Sequence, residues 1–407
     1  MSDRYPGGLI RKTPPTVTPP VNGEGGSAPG IWTLEQASYY QGIGEWPKKV
    51  IARELYSWGY GAVGALGQNS TLTVSSPVQV GSLITWSQVS SGNEHTAAVT
   101  TVGSLFTFGG GYKGRLGHNN DIDTSSPVQV GALTTWSQAS ASYRYTAAVK
   151  TDGTLWTWGE GLFGKLGHNN LTTSSSPVQV GALTAWAQVS AGKDHCAAVK
   201  TDGTLWTWGD AVVGKLGHND VVLRSSPVQV GALTNWSQVT AGLGHCAAVK
   251  TDGTLWTWGA GANGRLGTNI AIYAVSSPVQ VGALTTWLQV SAHDSYSNIA
   301  VKTNGTIWTW GNNDNGQLGQ NITLNVSSPI QVGPSTDWSQ VTGSVSAAMN
   351  HCAAVKTDGT IWTWGLGANG RTGHNNTISL SSPVQVGALT TWSKASLGGN
   401  HTAAITG

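Results

Sequence analysis

The sequence predicts an all-β fold, a seven-bladed β-propeller with four-stranded blades, and three observations lead to this prediction. The phrase Ser-Ser-Pro-Val-Gln-Val, with Ile for the first Val in one copy, occurs seven times at spacings of 50 to 54 residues. Each copy contains four short apolar runs separated by turn sequences. The array starts on the third run of one copy and ends on the second run of another.

Residues 186–236 show how one copy divides into strands. Trp186–Gly192 alternates apolar and polar residues and predicts strand a, and His195–Lys200 predicts strand b. An Asp-Gly pair then predicts a tight type I′ hairpin turn into strand c, Leu205–Gly209. Strand d is predicted at Ser226–Val230, and its proline indicates the outer edge of the blade, where a missing donor is tolerated.

The ends of the array predict how the ring closes. Glu54–Gly59 is a strand c and His401–Ile405 is a strand b, so one blade combines strands c and d from the N-terminal side with strands a and b from the C-terminal side. Such a split blade closes the ring without an exposed edge. The predicted domains are the propeller, residues 51–407, and an extended arm, residues 1–50, with a proline-rich linker and one short helix from Thr33.

Composition excludes several classes of partner. Charged residues make up 10% of the chain and the net charge is +2, and Lys and Arg are scattered singly, so no nucleic-acid partner is expected. No apolar run is long enough to insert into a membrane, and the first residues do not resemble a secretory signal. Cys196, Cys246 and Cys352 share one register of the repeat, which predicts buried free thiols.

Two sets of histidines resemble ligands by residue type. Metal ligands must converge on one point, whereas equivalent positions in successive blades diverge around a ring, and Tyr, Ser, Gln and Thr replace histidine in other copies. We therefore expect loop-stabilising hydrogen bonds, with a ligand role as the alternative. The two sets are His95, His195, His245, His351 and His401, and His118, His168, His218 and His374.

No other pattern indicates catalysis. The glycine-rich stretch lacks the Gly-Lys-Ser/Thr ending of a phosphate-binding loop, and an asparagine repeated in all seven copies predicts a turn conformation. The array tryptophans recur at strand positions in every copy, which favours blade-to-blade packing over stacking on sugars or bases. We therefore expect no catalytic, cofactor-binding or metal-binding residues, no cofactor and no enzymatic activity.

Variation between copies concentrates in the a–b and c–d connections, which emerge on one face of the disc in an up-and-down blade. Binding residues concentrate on loops held by a rigid frame, so this face is the candidate for partner binding, with neutral drift of exposed loops as the alternative. Its predicted binding residues are Tyr60, Tyr112, Lys113, Tyr143, Arg144, Tyr145, Phe163, Lys193, Asp194, Tyr273 and Tyr296.

Repeated phrases such as Leu-Trp-Thr-Trp-Gly, Gly-x-Leu-Gly-x-Asn and Ser-Pro-Val-Gln-Val resemble the regulator-of-chromosome-condensation repeat family from about Leu55 to Ile405. The resemblance implies a seven-bladed propeller closed by a split blade. Family members include an exchange factor for a small GTPase, chromatin-associated proteins and adaptor or inhibitor propellers. This sequence has no inserted wedge or acidic cluster, so the exchange activity is not carried over.

The arm gives a second, shorter resemblance. Ser27 to Pro47, with Gly-Ile-Trp-Thr-Leu-Glu-Gln and Gly-Glu-Trp-Pro, resembles a module of structural proteins of tailed bacteriophages. This resemblance implies an anchor to other virion proteins, and the alternative is a tail that packs on the propeller. The predicted anchor residues are Ile31, Trp32, Leu34, Tyr39, Tyr40 and Trp46.

Together these features predict a non-enzymatic virion protein, anchored by its arm and displaying the propeller for decoration or for attachment to a host-surface protein or glycan. The alternative is a cytoplasmic propeller that binds a protein partner as an adaptor or inhibitor. A small-GTPase exchange factor and a carbohydrate-active enzyme are more distant alternatives.

Overall fold

The computed structural model describes residues 3–5, 8–10, 38, 52–269, 273–292, 296–339, 345–347 and 350–407. The chain divides into two units, Met1–Ala52 and Arg53–Gly407. In the first unit, β1 (Asp3–Tyr5) pairs antiparallel with β2 (Gly8–Ile10), a hairpin that the sequence analysis did not predict. All six predicted anchor residues lie outside the described residues. So does the helix predicted from Thr33, except for Ser38, which is helical.

The second unit contains seven four-stranded antiparallel sheets, which confirms the predicted propeller. Blades 1 to 4 consist of β5–β8 (Trp86–Ser91, His95–Thr100, Leu105–Gly109, Thr124–Gln129), β9–β12 (Trp136–Ala141, Tyr145–Lys150, Leu155–Gly159, Ser174–Gln179), β13–β16 (Trp186–Ala191, His195–Lys200, Leu205–Gly209, Arg224–Gln229) and β17–β20 (Trp236–Ala241, His245–Lys250, Leu255–Ala260, Ala274–Gln280). Blades 5 and 6 consist of β21–β24 (Trp287–Ser291, Ser297–Lys302, Ile307–Gly311, Val326–Gln331) and β25–β28 (Val345–Ala347, His351–Val355, Ile361–Gly365, Leu380–Gln385). Blade 7 combines β29 (Trp392–Leu397) and β30 (His401–Thr406) with β3 (Leu55–Gly59) and β4 (Val74–Gln79).

Blade 7 is the predicted split blade. Strand β3 pairs antiparallel with β30, with Leu55 opposite Ile405 and Gly59 opposite His401. Beside this pairing, the Glu54 amide donates to Thr406 Oγ1 at 3.0 Å. The two ends of the array are therefore joined by a central strand pair, and the prediction of split-blade closure is confirmed.

Strand a lies innermost in each blade and strand d outermost. Neighbouring a strands are joined by glutamine side chains: Gln138 Nε2 donates to Val189 O at 3.2 Å, and the Val189 amide donates to Gln138 Oε1 at 3.1 Å. The same arrangement links blade 1 to blade 2 through Gln88 and blade 3 to blade 4 through Gln188. Each d strand, with its proline, lies at a sheet edge as predicted.

Tryptophans form the packing between blades. Trp208 is fully buried, and its Nε1 donates to Lys165 O of the preceding blade at 3.0 Å. Trp186 and Trp206 pack edge to face with ring centroids 5.9 Å apart. Five further strand-c tryptophans donate to the preceding blade in the same way, namely Trp58, Trp158, Trp258, Trp310 and Trp364. The prediction that these rings form the core is confirmed.

The turn between strands b and c differs from the predicted type. In blade 3 Gly203 has φ +76°, whereas Asp202 is not in the left-handed region, so a type I turn followed by a left-handed glycine replaces the predicted type I′ turn. The Gly203 amide donates to Lys200 O at 2.9 Å. Asp202 Oδ1 accepts from the Thr204 amide at 3.0 Å and Thr204 Oγ1 at 2.7 Å, which explains the aspartate.

The repeated asparagine has the left-handed conformation expected of it. Asn219 has φ +64°, and its amide donates to Ser276 O in the outer strand of the next blade at 2.6 Å. The same bond occurs at all seven asparagines. The Ser-Ser-Pro phrase therefore accepts a hydrogen bond from the asparagine turn of the preceding blade, which explains its repetition.

The three cysteines are free and buried, as predicted. Burial raises the pKa of each thiol, so the protonated form dominates near neutral pH. No helix in the described part of the chain is long and apolar enough to cross a membrane.

Candidate protein-binding face

The a–b and c–d connections meet on one side of the disc, as the sequence predicted. In blade 2 the Glu160 amide, at the end of strand c, donates to Arg144 O in the a–b connection at 3.0 Å. The same bond recurs in blade 3 between Asp210 and Asp194. This side, formed by the a–b and c–d connections, is called the variable face.

Five predicted binding residues form one cluster on the variable face of blades 1 to 3. The Arg144 guanidinium lies 5.3 Å from the ring centroid of Tyr112 and 5.2 Å from that of Tyr143. Lys193 Nζ lies 5.4 Å from the Tyr143 ring, and Lys113 Nζ lies 5.4 Å from the Tyr112 ring. Such contacts hold long side chains in place while their outer surfaces stay accessible. Tyr112, Lys113, Tyr143, Arg144 and Lys193 are called the cation–aromatic cluster.

An ion-pair network supports the cluster from below. Lys165 Nζ, whose side chain is 0% exposed, donates to Glu160 at 2.7 Å and to Asp194 at 3.1 Å. Glu160 also accepts from Arg144 at 3.2 Å. Burial would raise the pKa of the Glu160 carboxyl, but the hydrogen bonds and charges of Lys165 and Arg144 outweigh it and hold that pKa below its ordinary value. The carboxylate is therefore ionised at neutral pH and fixes the position of Arg144.

Lys165 belongs to a register of buried cations that the sequence analysis missed. The description of Lys and Arg as scattered singly overlooked that the residue directly before a Leu-Gly-x-Asn or Thr-Gly-x-Asn phrase is basic in five of the seven copies. The five residues are all buried and lie just before the Leu or Thr of that phrase: Arg115, Lys165, Lys215, Arg265 and Arg371. Aligning the seven copies by this register would have found them.

The partners of these cations vary from blade to blade. Arg115 pairs with Glu94 at 2.9 Å, and Lys215 pairs with Asp210 at 2.6 Å. Arg371 instead donates to Gly399 O at 3.0 Å and to Asn400 Oδ1 at 2.7 Å. Arg115, Lys165 and Arg371 thus tie their c–d connections to neighbouring loops, which stiffens the variable face.

Tyr145 does not lie on the exposed surface. Its side chain is 0% exposed and its hydroxyl donates to His195 O in the next blade at 2.7 Å. The prediction of Tyr145 as a surface binding residue is therefore wrong, because this register is part of the buried contact between blades. Asp194, by contrast, is partly exposed and serves the network through Lys165.

The remaining predicted residues belong to other parts of the face. Tyr60 lies in blade 7 and Phe163 in blade 2, and both are exposed. Tyr273, at the start of the outer strand of blade 4, is 79% exposed. Tyr296 of blade 5 lies under the Arg265 guanidinium, 4.5 Å from its ring centroid. The structure therefore gathers the cluster on blades 1 to 3 and leaves these four residues outside it.

The c–d connections hold bulky residues in a strained conformation. Val63, Lys113, Phe163 and Val213 all have φ between +54° and +62°. The left-handed region costs an L-residue about 1–2 kcal/mol, and a β-branched residue there is a clear outlier. Blades 4 and 6 place Asn263 and Asn369 at the same position, at φ +60° and +61°. Asparagine tolerates this conformation best among residues with a side chain, so four blades carry a strain that blades 4 and 6 avoid.

Both histidine sets make hydrogen bonds, but only the second set holds a loop as expected, whereas the first joins strands of neighbouring blades. His245 Nε2 lies 2.9 Å from Asn298 Oδ1 in the next blade, and His95, His195, His351 and His401 make equivalent bonds between blades. In the second set, His118, His168, His218 and His374 contact a strand-c threonine within their own blade. Among the described residues no three His, Cys, Asp or Glu side chains are grouped to hold a metal ion.

A groove of about 710 Å³ lies at the outer rim between blades 1 and 2. Its walls include Ile122, Leu133, Trp136, Lys150 and Trp156. Lys150 lies over the Trp156 ring, with Nζ 3.6 Å from the centroid, and Lys250 and Lys302 repeat this contact in blades 4 and 5. The groove is therefore built from positions that other blades share, which makes it a feature of the repeat and not a site peculiar to one blade.

Comparison with known proteins gives the same fold and a family. The family model for the RCC1-like domain matches residues 54–404. The RCC1 domain-containing protein RUG3 of Arabidopsis thaliana is 30% identical over 134 residues, which cover 32% of this chain and 30% of RUG3. The ultraviolet-B receptor UVR8 of the same plant is 33% identical over 103 residues, 25% of this chain and 23% of UVR8. Human E3 ubiquitin-protein ligase HERC2 is 28% identical over 118 residues, 28% of this chain and 2% of HERC2.

Solved structures resemble nearly the whole propeller. Prp20p of Saccharomyces cerevisiae aligns with a TM-score of 0.77 and 18% identity, covering 88% of this chain and 92% of Prp20p. Human WBSCR16 aligns with a TM-score of 0.76 and 18% identity, covering 87% of this chain and 99% of its own. These likenesses show the fold, while the curated relatives named above match over a third or less of their length. The family model spans most of the chain, and the protein belongs to the RCC1-like domain family.

Proposed function

We propose that this protein is a non-enzymatic, protein-binding propeller that acts as an adaptor or inhibitor and engages its partner through the variable face. The observation that carries this proposal is the cation–aromatic cluster, in which Tyr112 is 51% exposed and Arg144 is held by Glu160. Tyrosine and arginine are enriched at the energetic centres of protein interfaces. A rigid frame lowers the entropy cost of binding, and the buried network beneath the cluster supplies that rigidity.

Relatives support a protein partner in general terms. Prp20p is described with binding properties toward Gsp1p and histones, and yeast RCC1 (Prp20) has been crystallised with Kap60 bound. At 18% identity these likenesses transfer the fold and no particular partner, so an exchange activity is not proposed. The ligase activity of HERC2 is not proposed either, because the match covers 2% of that protein.

The virion interpretation rests on the arm, and its anchor residues lie outside the described residues. The curated relatives named above are a mitochondrial RCC1 domain-containing protein, a receptor and a ligase, and none of them supports a role in a virus particle. Attachment to a host-surface protein or glycan and a location in the virion therefore remain predictions of the sequence. The protein-binding alternative is favoured because the exposed cluster and the family support it.

Photo-crosslinking tests which face meets the partner. A photoreactive phenylalanine analogue at Tyr112 is expected to give covalent adducts with a protein of the source cell. The same analogue at Val102, which is exposed in the b–c turn on the opposite face, is expected to give none. Adducts at both positions, or only at Val102, would contradict the assignment of the face.

The purified partner then allows a quantitative test. Tyr143→Ala and Arg144→Ala together are expected to weaken its binding by at least about 30-fold, since central Tyr and Arg side chains each contribute on the order of 2 kcal/mol. Stability should change little, because a half-exposed ion pair such as Arg144–Glu160 contributes about 0–1 kcal/mol. Isothermal titration calorimetry measures binding and thermal unfolding measures stability. Unchanged affinity would refute the proposed function.

A further inference from the structure

The tips of the c–d connections divide the variable face into two unlike sectors. Each tip places two residues between a Gly, Ala or Asn and a left-handed glycine. In blades 7, 1, 2 and 3 these pairs are Ala62-Val63, Tyr112-Lys113, Leu162-Phe163 and Val212-Val213. In blades 4, 5 and 6 they are Ala262-Asn263, Asp314-Asn315 and Ala368-Asn369. The bulky apolar tips therefore occupy four consecutive blades, and the other three blades carry small or polar tips.

The apolar tips are accessible. Tyr112, Leu162, Phe163 and Val212 are between 43% and 59% exposed, while Val63 and Val213 are half-buried. These six residues are called the apolar crescent. Tyr112 also belongs to the cation–aromatic cluster, so the apolar and cationic surfaces are continuous.

Backbone strain distinguishes the crescent from a surface whose residues vary without functional consequence. Val63, Phe163 and Val213 occupy the left-handed region, and the chain itself uses asparagine there in blades 4 and 6. A substitution to asparagine would relieve the strain without disturbing the fold of the turn, since Asn263 has the same φ of +60° as Val213. Side chains kept in an unfavourable conformation at an exposed position are typical of functional sites.

The charges beside the crescent indicate what it binds. In the ring contacts and ion pairs of blades 1 to 3 described above, six cations (Lys113, Arg115, Arg144, Lys165, Lys193, Lys215) face four carboxylates (Glu94, Glu160, Asp194, Asp210). All four carboxylates are engaged by Arg115, Arg144, Lys165 or Lys215, and no described carboxylate lies within ion-pair distance of Lys113 or Lys193. The surface beside the apolar tips therefore carries two ammonium groups available to an acidic ligand.

From this juxtaposition we infer that the apolar crescent, with Lys113 and Lys193 beside it, binds a peptide segment of a partner protein that combines aliphatic or aromatic residues with Asp or Glu. The inference rests on the proposed function and deepens it by naming the chemistry of the partner. The left-handed position of the c–d turn is the specificity-determining position. Bulky residues there create the binding sector, and asparagine at the same position leaves blades 4 and 6 inert.

The test uses the full-length protein and a yeast-displayed library of random peptides as the probe. Selection on the wild type is expected to enrich peptides that contain both acidic and large apolar residues. The variant F163N/V213N is expected to bind these peptides at least about tenfold more weakly. It should nevertheless unfold at a temperature about 2 °C or more above that of the wild type, because it relieves two strained residues.

Matched variants separate this inference from the proposed function. N263F, the reverse change in blade 4, should lower the unfolding temperature and leave peptide binding unchanged. Peptides whose binding falls with Y143A/R144A but not with F163N/V213N would overturn the inference and leave the proposed function intact. Peptides unaffected by either variant would overturn both. Selection that enriches no peptide, or only basic peptides, would also overturn the inference. So would self-association of the wild type in sedimentation velocity that F163N/V213N abolishes.

Discussion

Acidification from pH 7 to pH 4.5 is expected to destabilise the propeller strongly, and the buried histidines at the blade contacts are the cause. Burial first, and then the charge of a neighbouring arginine, lowers the pKa of His245 and of His401 to about 4. Burial likewise holds the pKa of His195 and His351 well below the ordinary value. All four imidazoles are therefore neutral in the folded protein at pH 7.

The hydrogen bonds explain why these rings resist protonation. Asn298 Nδ2 donates to Arg265 O at 2.8 Å, so its Oδ1 faces His245 and the proton of that ring lies on Nε2. Among the described residues Nδ1 of His195, His245, His351 and His401 has no hydrogen-bond partner. A second proton would therefore place a buried cation on a nitrogen without an acceptor.

The direction of the stability change and the pH range in which it occurs follow from these lowered pKa values. The unfolded chain binds a proton at each histidine below about pH 6.5, whereas folded His245 and His401 do so only near pH 4. Between these values the unfolded state holds more protons, so stability falls as pH falls, by about 1.4 kcal/mol per pH unit for each such histidine. The contribution of these histidines to stability should be constant above about pH 7 and should decline from pH 6.5 downward.

Thermal unfolding measured at intervals from pH 8 to pH 4.5 checks this expectation. The carboxylates with lowered pKa, such as Glu160, contribute their own loss only below their ordinary pKa, so the upper part of the window reports histidine. His245→Gln, which keeps a donor for Asn298, should reduce the slope of unfolding temperature against pH. A wild-type unfolding temperature that stays constant from pH 7 to pH 4.5 would show that the histidines are not held neutral.

The fold was predictable because its signals repeat. One strand run with an edge proline, such as Ser226–Val230, would be ambiguous, but seven copies at a fixed period leave a closed ring as the arrangement that buries the strand tryptophans fully or in part. The unequal ends of the array, Glu54–Gly59 and His401–Ile405, predicted which strands close it. Local turn geometry was less accessible, since Asp-Gly fits both a type I′ turn and the observed type I turn with a left-handed glycine.

The candidate site was predictable only as a set of loops. Tyr145 was placed on the surface because tyrosine is frequent at interfaces, although it shares its register with buried histidines and this signal could have shown its burial. The contacts of Arg144 with Tyr112 and Tyr143 depend on blade spacing, which sequence does not supply. The strain at Phe163 and Val213 could be seen only from backbone dihedrals.

Lys165→Met is expected to lower the free energy of unfolding by about 3–5 kcal/mol, because removing one partner of a buried ion pair leaves the other without compensation. Lys165 is fully buried and neutralises Glu160, whose side chain is 6% exposed, together with Asp194. After the change Glu160 retains only Arg144 at 3.2 Å. The variable face should therefore lose rigidity as well as stability, and binding through Arg144 should weaken.

Urea unfolding of Lys165→Met and Lys165→Arg separates the charge from the shape of this side chain. Other blades carry arginine in this register, at Arg115, Arg265 and Arg371. The free energy of unfolding of Lys165→Arg should therefore stay within about 1 kcal/mol of the wild type if the pocket needs a cation. Equal losses in both variants would mean that the fit of the lysine chain, and not its charge, holds the network. A loss below about 1 kcal/mol in Lys165→Met would mean that Glu160 and Asp194 are solvated in the folded protein and that the network does not position Arg144.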